Sequence, residues 1–250
     1  MPYTQIENNK IYYGLKDHLA ETNLILIHGA GGNHTHWAPT LRKIPGVNTH
    51  ALDLPGHGLS VGSPLPDIGA YARFIENFVE TLALTHVTLA GSSMGGAIAL
   101  TLAIQKKPWL KKLILMGTGA KLPVNPQFMD HLKTKPQEAI GFMASHMYSK
   151  QAPETLVNAA RDELLRIKPS LLVNDFKACS EYNLENKVQG INIPTLILVG
   201  EHDKMTPPSL SAQLHQAIHG SSLHVIPNAG HALALEAPEA CLDLIEKFVP

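Results

Sequence analysis

The sequence predicts an α/β fold with a mostly parallel central sheet flanked by helices and an inserted helical cap. Three observations support this: short runs that are apolar on both faces, segments of helical period between them, and a late stretch without strand-like runs. With 44% hydrophobic and only 16% charged residues, the chain is too apolar for disorder. Chains of about 200 to 250 residues with this pattern often fold as one domain.

Four short runs predict the strands of the sheet, namely residues 24–27, 87–90, 113–116 and 195–199. They lack polar alternation, which is typical of parallel strands buried on both faces. Between the first two runs, apolar residues recur at helical spacing and predict an amphipathic helix: Tyr71, Phe74, Ile75, Phe78, Val79 and Leu82. Residues 4–15 alternate around Asn8-Asn9 and predict an antiparallel hairpin at the sheet edge, while residues 238–249 predict a last helix.

Strand-like runs vanish between residues 119 and 189, where helical segments are separated by prolines: Pro123, Pro126, Pro136, Pro153 and Pro169. We interpret residues 119–189 as a helical cap inserted into a core formed by residues 1–118 and 190–250. The strand and helix alternation resumes after the insertion. Alternation of this kind predicts a sheet with right-handed crossovers.

Charge and cysteine content limit the partners and the compartment. Twenty basic against 21 acidic residues give a formal charge of -1, which provides no global field for nucleic acid or an anionic membrane. Two cysteines, Cys179 and Cys241, form neither a disulfide framework nor a zinc motif. No run approaches the roughly 18 apolar residues of a membrane span, and the N-terminus lacks the pattern of a secretory leader. We expect a cytoplasmic protein that is a monomer or a homodimer.

The pentapeptide Gly91-Ser92-Ser93-Met94-Gly95 lies directly between a predicted strand and a predicted helix. A strand that turns at once into a helix puts its corner residue in a strained backbone conformation, and flanking glycines leave room for that turn. The corner residue is Ser93. Its hydroxyl is therefore expected above the carboxyl ends of the strands, as a nucleophile, while Ser92 has a packing or orienting role.

A serine nucleophile needs a histidine base that a carboxylate orients. Among 14 histidines, His231 stands out because it follows Gly230 in a loop just beyond a strand-like run. Asp203 follows the buried run 195–199 and precedes Thr206-Pro207-Pro208, which is a helix-start signal. Because strand ends meet at one edge of a parallel sheet, we predict that Ser93, Asp203 and His231 converge there.

The oxyanion formed by serine attack needs preorganised N–H donors. The loop His28-Gly29-Ala30-Gly31-Gly32 follows the first buried run and offers free amides. We expect the donors to be the backbone N–H groups of Ala30 and Met94. A third glycine-rich loop, which begins at Asp53, is interpreted as a scaffold turn.

Apolar and aromatic residues at helical spacing in the cap are candidates for substrate binding: Phe142, Met143, His146 and Phe176. Three cap cations are candidates for binding a substrate carboxylate: Arg161, Arg166 and Lys168. His34 and His36 lack an accompanying carboxylate cluster, so hydrogen bonding to solvent or to a loop is expected rather than metal binding. We expect neither a metal nor an organic cofactor.

Five motifs in order resemble the α/β-hydrolase superfamily with a helical cap, and the likeness runs essentially from end to end. They are His28-Gly29, Asp53-Leu54-Pro55-Gly56-His57-Gly58-Leu59-Ser60, Gly91-Ser92-Ser93-Met94-Gly95-Gly96, Gly200-Glu201-His202-Asp203 with Thr206-Pro207, and Gly230-His231. The order of nucleophile, acid and histidine is also that of the superfamily. The resemblance implies a serine hydrolase acting on a small-molecule ester or lactone.

Two other functions are compatible with the same motifs, because superfamily members share them. One is a carbon–carbon bond hydrolase or a menaquinone-pathway-like lyase. Ring-cleavage hydrolases usually carry a tryptophan directly after the catalytic histidine. This chain has Ala232 at that position, which argues against that class. The other is a ligand-sensing receptor with slow turnover. Dehalogenases and epoxide hydrolases carry aspartate at the corner, where this chain has Ser93.

Overall fold

The structure, a computed structural model, describes residues 2–249 as an eight-stranded sheet with helices on both faces. The strands in chain order are β1 (Tyr3–Ile6), β2 (Asn9–Lys16), β3 (Asn23–Ile27), β4 (Asn48–Leu52), β5 (Val87–Ser92), β6 (Leu110–Met116), β7 (Thr195–Gly200) and β8 (Ser222–Ile226). The helices are α1 (Ile68–Thr81), α2 (Met94–Ala103), α3 (Pro126–Thr134), α4 (Pro136–Met147), α5 (Glu154–Leu164), α6 (Pro169–Glu181), α7 (Pro208–Ala217), α8 (Leu233–Glu236) and α9 (Pro238–Phe248). This architecture confirms the predicted fold class.

The strand order in the sheet is β1-β2-β4-β3-β5-β6-β7-β8. β2 pairs antiparallel with β1 and β4, and all later neighbours pair parallel. The order reverses between β4 and β5, which lie on opposite sides of β3. A crevice at the carboxyl ends of the strands is expected at such a switch point. The loops after β3 and β5 therefore become neighbours.

Side chains of the central strands alternate between two apolar layers. Ile25 and Ile27 pack into a layer with α1 and α2, whereas Leu24 and Leu26 pack on the opposite face with α9. Because both faces are covered, residues 24–27 of β3 are apolar on both faces of the strand. This double burial explains why the four predicted runs coincide with β3, β5, β6 and β7.

The sequence pattern did not reveal β4. Three of its five residues are polar, and two of these, Thr49 and His50, are only 0% and 4% exposed. They interrupt the apolar run by which the other central strands are identified. The hairpin prediction is confirmed, since β1 and β2 pair from Tyr3 with Tyr12 to Ile6 with Asn9 at the sheet edge.

Helices α3 to α6 form a cap between β6 and β7. Their own apolar core includes Leu132, Ile140 and Leu164. At the base of this insertion the Leu184 N–H donates to the Ala120 carbonyl at 2.7 Å, so the chain leaves and re-enters the core at neighbouring points. All four helices fall within residues 119–189, and those domain boundaries stay a prediction.

The first turn of α2 crosses the end of β3 at the closest approach allowed by glycine. A Cβ atom on Gly95 would lie 2.2 Å from the Ile27 carbonyl oxygen. Backbone cannot yield as a flexible side chain can, so any larger residue would separate the helix from the strand. The position of the turn between β5 and α2 therefore depends on this contact.

We predict that Gly95→Ala lowers the free energy of unfolding by about 2 kcal/mol or more, because the added methyl overlaps the β3 backbone. Gly141→Ala is the matched control. Gly141 lies within α4 with nothing within 4 Å of its built Cβ, so alanine there should stabilise the helix by roughly 0.5–1 kcal/mol. Urea unfolding followed by circular dichroism measures both. Equal stability of the two variants would contradict the close-packing account.

Candidate active site

Ser93 occupies the corner between β5 and α2. Its backbone φ is 53° and ψ is -117°, a left-handed conformation that non-glycine residues rarely adopt and that costs on the order of 1–3 kcal/mol. Two hydrogen bonds hold it there: the Ser93 N–H donates to the Met116 carbonyl at 2.9 Å, and the Thr118 hydroxyl donates to the Ser93 carbonyl at 2.8 Å. The surrounding structure thus fixes a strained corner with an outward side chain.

His231 and Asp203 form a buried pair at the same end of the sheet. The Nδ1 atom of His231 lies 2.8 Å from Oδ2 of Asp203, and the two residues are 7% and 4% exposed. Asp203 follows β7 and His231 lies in the loop after β8. A hydrogen bond at Nδ1 leaves Nε2 as the ring nitrogen available to a substrate or nucleophile.

Asp203 accepts further hydrogen bonds that hold it as a carboxylate. Its Oδ1 accepts from the N–H groups of Met205 and Thr206, and its Oδ2 accepts from the Thr206 hydroxyl at 2.8 Å. Burial raises the pKa of Asp203, but the charge and hydrogen bond of His231 and the two donors on Thr206 outweigh burial and lower it. The carboxylate is therefore ionised at neutral pH.

The same pairing acts on the histidine in the opposite direction. Burial lowers the pKa of His231, whereas the charge of Asp203, its hydrogen bond and the charge of Glu236 raise it. The net pKa lies above the ordinary value. Attraction to the two carboxylates thus exceeds the cost of desolvation.

Glu236 also connects the His231 loop to the cap. Its two carboxylate oxygens accept from the N–H of Gly230 at 2.9 Å and from the N–H of Ser149 at 2.8 Å. The Ala232 N–H donates to the Met147 carbonyl at 2.8 Å. The loop that carries His231 is therefore bound on both sides to the segment between α4 and α5.

The Gly29–Gly32 loop after β3 forms a tight turn beside Ser93. The Gly32 N–H donates to the Gly29 carbonyl at 3.0 Å, and Gly31 has a φ of +62°. Within residues 2–249, the N–H of Ala30 has no recorded acceptor. The Met94 N–H opens α2 and lacks an intrahelical acceptor for that reason. Both of the expected donors thus remain available.

Ser93 and His231 line one cavity of about 90 Å³ between the sheet edge and the cap. Its wall is mainly apolar and rich in sulfur. The residues that form it include Ala30, Leu122, Val124, Met143, Met147, Phe176, Cys179, Met205 and Leu235. None of the described residues that line it is Lys, Arg, Asp or Glu. The cavity therefore suits a small, uncharged ligand.

Of the four cap residues expected at the substrate, two line the cavity and two do not. Met143 and Phe176 are buried in its wall. Phe142 is 56% exposed and stacks on His146 at 3.9 Å between ring centroids, outside the cavity. All three of Phe142, Met143 and His146 lie on α4, and one helix presents adjacent residues to different faces. Phe142 and His146 therefore do not line this cavity, and the part of all four residues in substrate binding stays a prediction.

The cap cations also lie away from this cavity. Arg166 and Lys168 line a second, larger pocket of about 510 Å³ on the other side of Gly31 and Gly32, and Arg161 lies beside Asp162 on the surface. None of these three cations lines the first cavity. The expectation that they bind such a group is therefore not supported by their positions.

The two histidines of the loop after β3 differ from each other. The Nδ1 atom of His34 lies 2.9 Å from Asp53, in agreement with loop hydrogen bonding. His36 approaches Glu163 and also lines the cavity, a position that no sequence pattern indicates. No group of three potential metal-binding side chains occurs among residues 2–249. Within that range, no helix has the length and apolarity needed to cross a membrane.

Sequence reasoning also missed Asp175, a fully buried carboxylate on α6. Its Oδ2 accepts from the N–H of Gly31 and lies 2.8 Å from Nε2 of His57, and its Oδ1 accepts from the Tyr71 hydroxyl. The partners lie over 100 residues away in sequence, so local pattern cannot reveal them. The one available signal was an acidic residue on the apolar side of a predicted cap helix.

Comparison with known proteins is consistent with this geometry. Residues 24–244 match the α/β hydrolase family. A pimeloyl-[acyl-carrier protein] methyl ester esterase of Neisseria meningitidis is 28% identical over 248 residues, covering 92% of this chain and 77% of the relative. A monoacylglycerol lipase of Xenopus laevis is 26% identical, covering 92% and 75%.

Solved structures agree over nearly the whole chain. A thermophilic esterase superposes with a TM-score of 0.88 at 28% identity, covering 99% of this chain and 96% of that one. An enol-lactonase from Burkholderia xenovorans has a TM-score of 0.90 at 20% identity and 99% coverage of both chains, a likeness that shows the fold. The chain therefore belongs to the α/β hydrolase family.

Proposed function

We propose that this protein is a serine hydrolase that cleaves a small carboxylic ester or lactone through an acyl-Ser93 intermediate. One observation carries the proposal: the strained Ser93 and the histidine of a buried Asp203–His231 pair line the same apolar cavity. A strained non-glycine corner persists only where the structure enforces it, and such corners cluster at functional sites. The proposed reaction has two steps, which use side chains of this protein and water.

In the first step the Ser93 hydroxyl oxygen attacks the carbonyl carbon of the ester, and His231 accepts the hydroxyl proton. His231 then donates that proton to the leaving alcohol oxygen as the bond from the carbonyl carbon breaks. Asp203 orients the imidazole and stabilises its cationic form. In the second step the neutral His231 accepts a proton from a water molecule as the water oxygen attacks the acyl carbon. His231 then passes that proton to the Ser93 oxygen as its bond to the acyl carbon breaks and the acid is released.

The N–H groups of Ala30 and Met94 are the proposed donors to the oxyanion. One is in the turn after β3, and the other is at the first position of α2, where the helix dipole also favours negative charge. Both lack other acceptors, so neither has to break a hydrogen bond when charge develops. Preorganised donors of this kind typically contribute about 3 to 4 kcal/mol each to the transition state.

The cavity supports a small and uncharged acyl or lactone group. Its volume of about 90 Å³ falls below the roughly 300–1,000 Å³ of sites for drug-sized ligands. Burying a charged substrate group there would leave the charge without a partner, which is costly. Relatives named as a methyl ester esterase and a monoacylglycerol lipase support an ester as the bond that is cleaved.

We predict that Ser93→Ala lowers kcat for p-nitrophenyl acetate by at least about 10³-fold, because no other group supplies the nucleophile. Ser180→Ala is the control, since Ser180 is an exposed serine on α6 whose hydroxyl donates only to the Lys177 carbonyl. Intact-mass analysis of the parent with a slow ester should detect an adduct of one acyl group on Ser93. Turnover of the Ser93 variant at the parent rate would refute the proposal. Activity without any acyl adduct would favour the carbon–carbon hydrolase alternative.

The raised pKa of His231 fixes the direction of the pH dependence. The base must be neutral, so kcat/KM should rise through one ionisation with a midpoint above pH ~6.5 and then level off. Asp203→Asn should lower kcat by about 10⁴-fold and shift the His231 pKa downwards, since burial remains while the attracting charge is lost. pH-rate profiles and NMR titration of the histidine measure both effects.

The control for that experiment is Glu201→Gln, which removes an exposed carboxylate two residues before Asp203. It should leave the rate and the midpoint close to those of the parent. A parent midpoint well below 6.5 would show that desolvation outweighs the carboxylates. An unchanged rate in the Asp203 variant would mean that another carboxylate orients the base.

Phe176 should limit the length of the acyl chain. It forms part of the cavity wall and contacts the Phe128 ring edge-on at 5.1 Å between centroids. Phe176→Leu shortens this side chain, so kcat/KM for hexanoate relative to acetate esters should rise several-fold. Phe142→Leu, on the outer face of the cap, should leave that ratio unchanged. A preference for palmitate in the parent would contradict the small cavity.

A further inference from the structure

We propose that Asp175 of the cap is a positioning residue for the reaction: it fixes the turn that carries the Ala30 amide. The inference rests on the proposed function, in which that amide is an oxyanion donor. It assigns to the cap a part in forming the oxyanion site as well as in enclosing the substrate. Asp175 itself touches no reacting atom.

The first contact is a direct hydrogen bond from the turn to the cap. The Gly31 N–H donates to Oδ2 of Asp175 at 2.8 Å. Gly31 has a φ of +62° at the third position of the turn closed by Gly32 and Gly29, as in type II turns. Type I and type II turns differ in the orientation of the central peptide, and that peptide contains the Gly31 N–H. The carboxylate therefore selects one orientation.

The second contact is steric and comes from the preceding turn of the same helix. A Cβ atom on Gly31 would lie only 2.3 Å from Cδ2 of Leu172. Leu172 and Asp175 are three residues apart and thus lie on one face of α6. Phe176 and Cys179 continue that face and line the cavity. One face of α6 therefore forms part of the cavity wall and also contacts the turn after β3. The positions of the wall and of the turn are thus fixed relative to each other.

The third set of contacts anchors the carboxylate itself to the core. The Tyr71 hydroxyl donates to Oδ1 at 2.9 Å, and His57 Nε2 lies 2.8 Å from Oδ2. His57 Nδ1 faces the Pro55 carbonyl at 3.0 Å, which can only accept, so Nδ1 carries a proton. Each ring nitrogen of His57 thus faces an oxygen, and both oxygens of the buried Asp175 carboxylate have hydrogen-bonding partners.

These partners make Asp175 a rigid support. It is 0% exposed, and its oxygens contact Tyr71 on α1, His57 in the loop after β4 and Gly31 in the loop after β3. A purely cap-stabilising residue would need only one such bond. Asn174, its neighbour on α6, is of that kind: its amide donates to the Leu65 carbonyl at 2.7 Å and does not contact the turn.

The experiment compares Asp175→Ala, Asp175→Asn and the matched control Asn174→Ala. Kinetics on p-nitrophenyl acetate are normalised to active sites titrated with a fluorophosphonate. Hydrogen exchange of the peptide that spans residues 27–37 is followed by mass spectrometry in the same samples. Removing an oxyanion donor outright typically costs about 10²–10³ in kcat, and a displaced donor should cost less.

For Asp175→Ala we expect about a tenfold loss of kcat per titrated site, with KM within about twofold and faster exchange across the turn. Asp175→Asn should be intermediate, because its carbonyl oxygen can still accept from the Gly31 N–H. Asn174→Ala should match the parent in both measurements. If the alanine variant does not fold, the asparagine variant compared with Asn174→Ala decides the question.

Two results would overturn the proposal. The first is a kcat per titrated site in the Asp175 variants that equals that of the parent. The second is a loss of kcat in Asn174→Ala as large as that in Asp175→Ala, which would indicate general loosening of the cap. The exchange measurement separates this inference from the proposed function. If the parent shows no Ser93-dependent ester hydrolysis, the proposed function fails. Unchanged exchange across residues 29–32 in Asp175→Asn would then show by itself that Asp175 does not hold the turn.

Discussion

The close contact between the first turn of α2 and the end of β3 determines the geometry of the site. Gly95 lies against the Ile27 and His28 carbonyls with no space for a side chain. This contact brings the strained Ser93 corner beside the Gly29–Gly32 turn, since β3 and β5 are paired neighbours in the sheet. The Ser93 hydroxyl and the N–H groups of Ala30 and Met94 thereby meet at one edge of the sheet.

Buried carboxylates fix the loops around that edge. Asp53 accepts from the N–H groups of His34 and Leu59, Asp175 from that of Gly31, and Asp203 from those of Met205 and Thr206. Each carboxylate accepts from several donors and has a histidine partner, which offsets the cost of burying it. These hydrogen bonds order the loops around the site, including the glycine-rich loops after β3 and β4.

The cap is bonded to the core on both sides of the cavity. Asp175 joins α6 to the turn after β3, and Glu236 joins the segment after α4 to the loop that carries His231. A change in cap position would thus alter both the proposed donor and the proposed base.

The sequence alone determined the fold class and the order of the chemistry-bearing loops. Runs apolar on both faces reveal buried parallel strands, and a glycine-flanked serine between strand and helix reveals the corner, because both signals are local. The tertiary structure decided the rest. The sequence pattern does not reveal β4, because the buried polar residues Thr49 and His50 interrupt its apolar run. Phe142 and Phe176 have the same helical spacing in the sequence, and only the packing of the cap helices shows which of them lines the cavity. Asp175 acquires its partners only when segments over 100 residues apart come together, and a sequence pattern carries no information about such contacts.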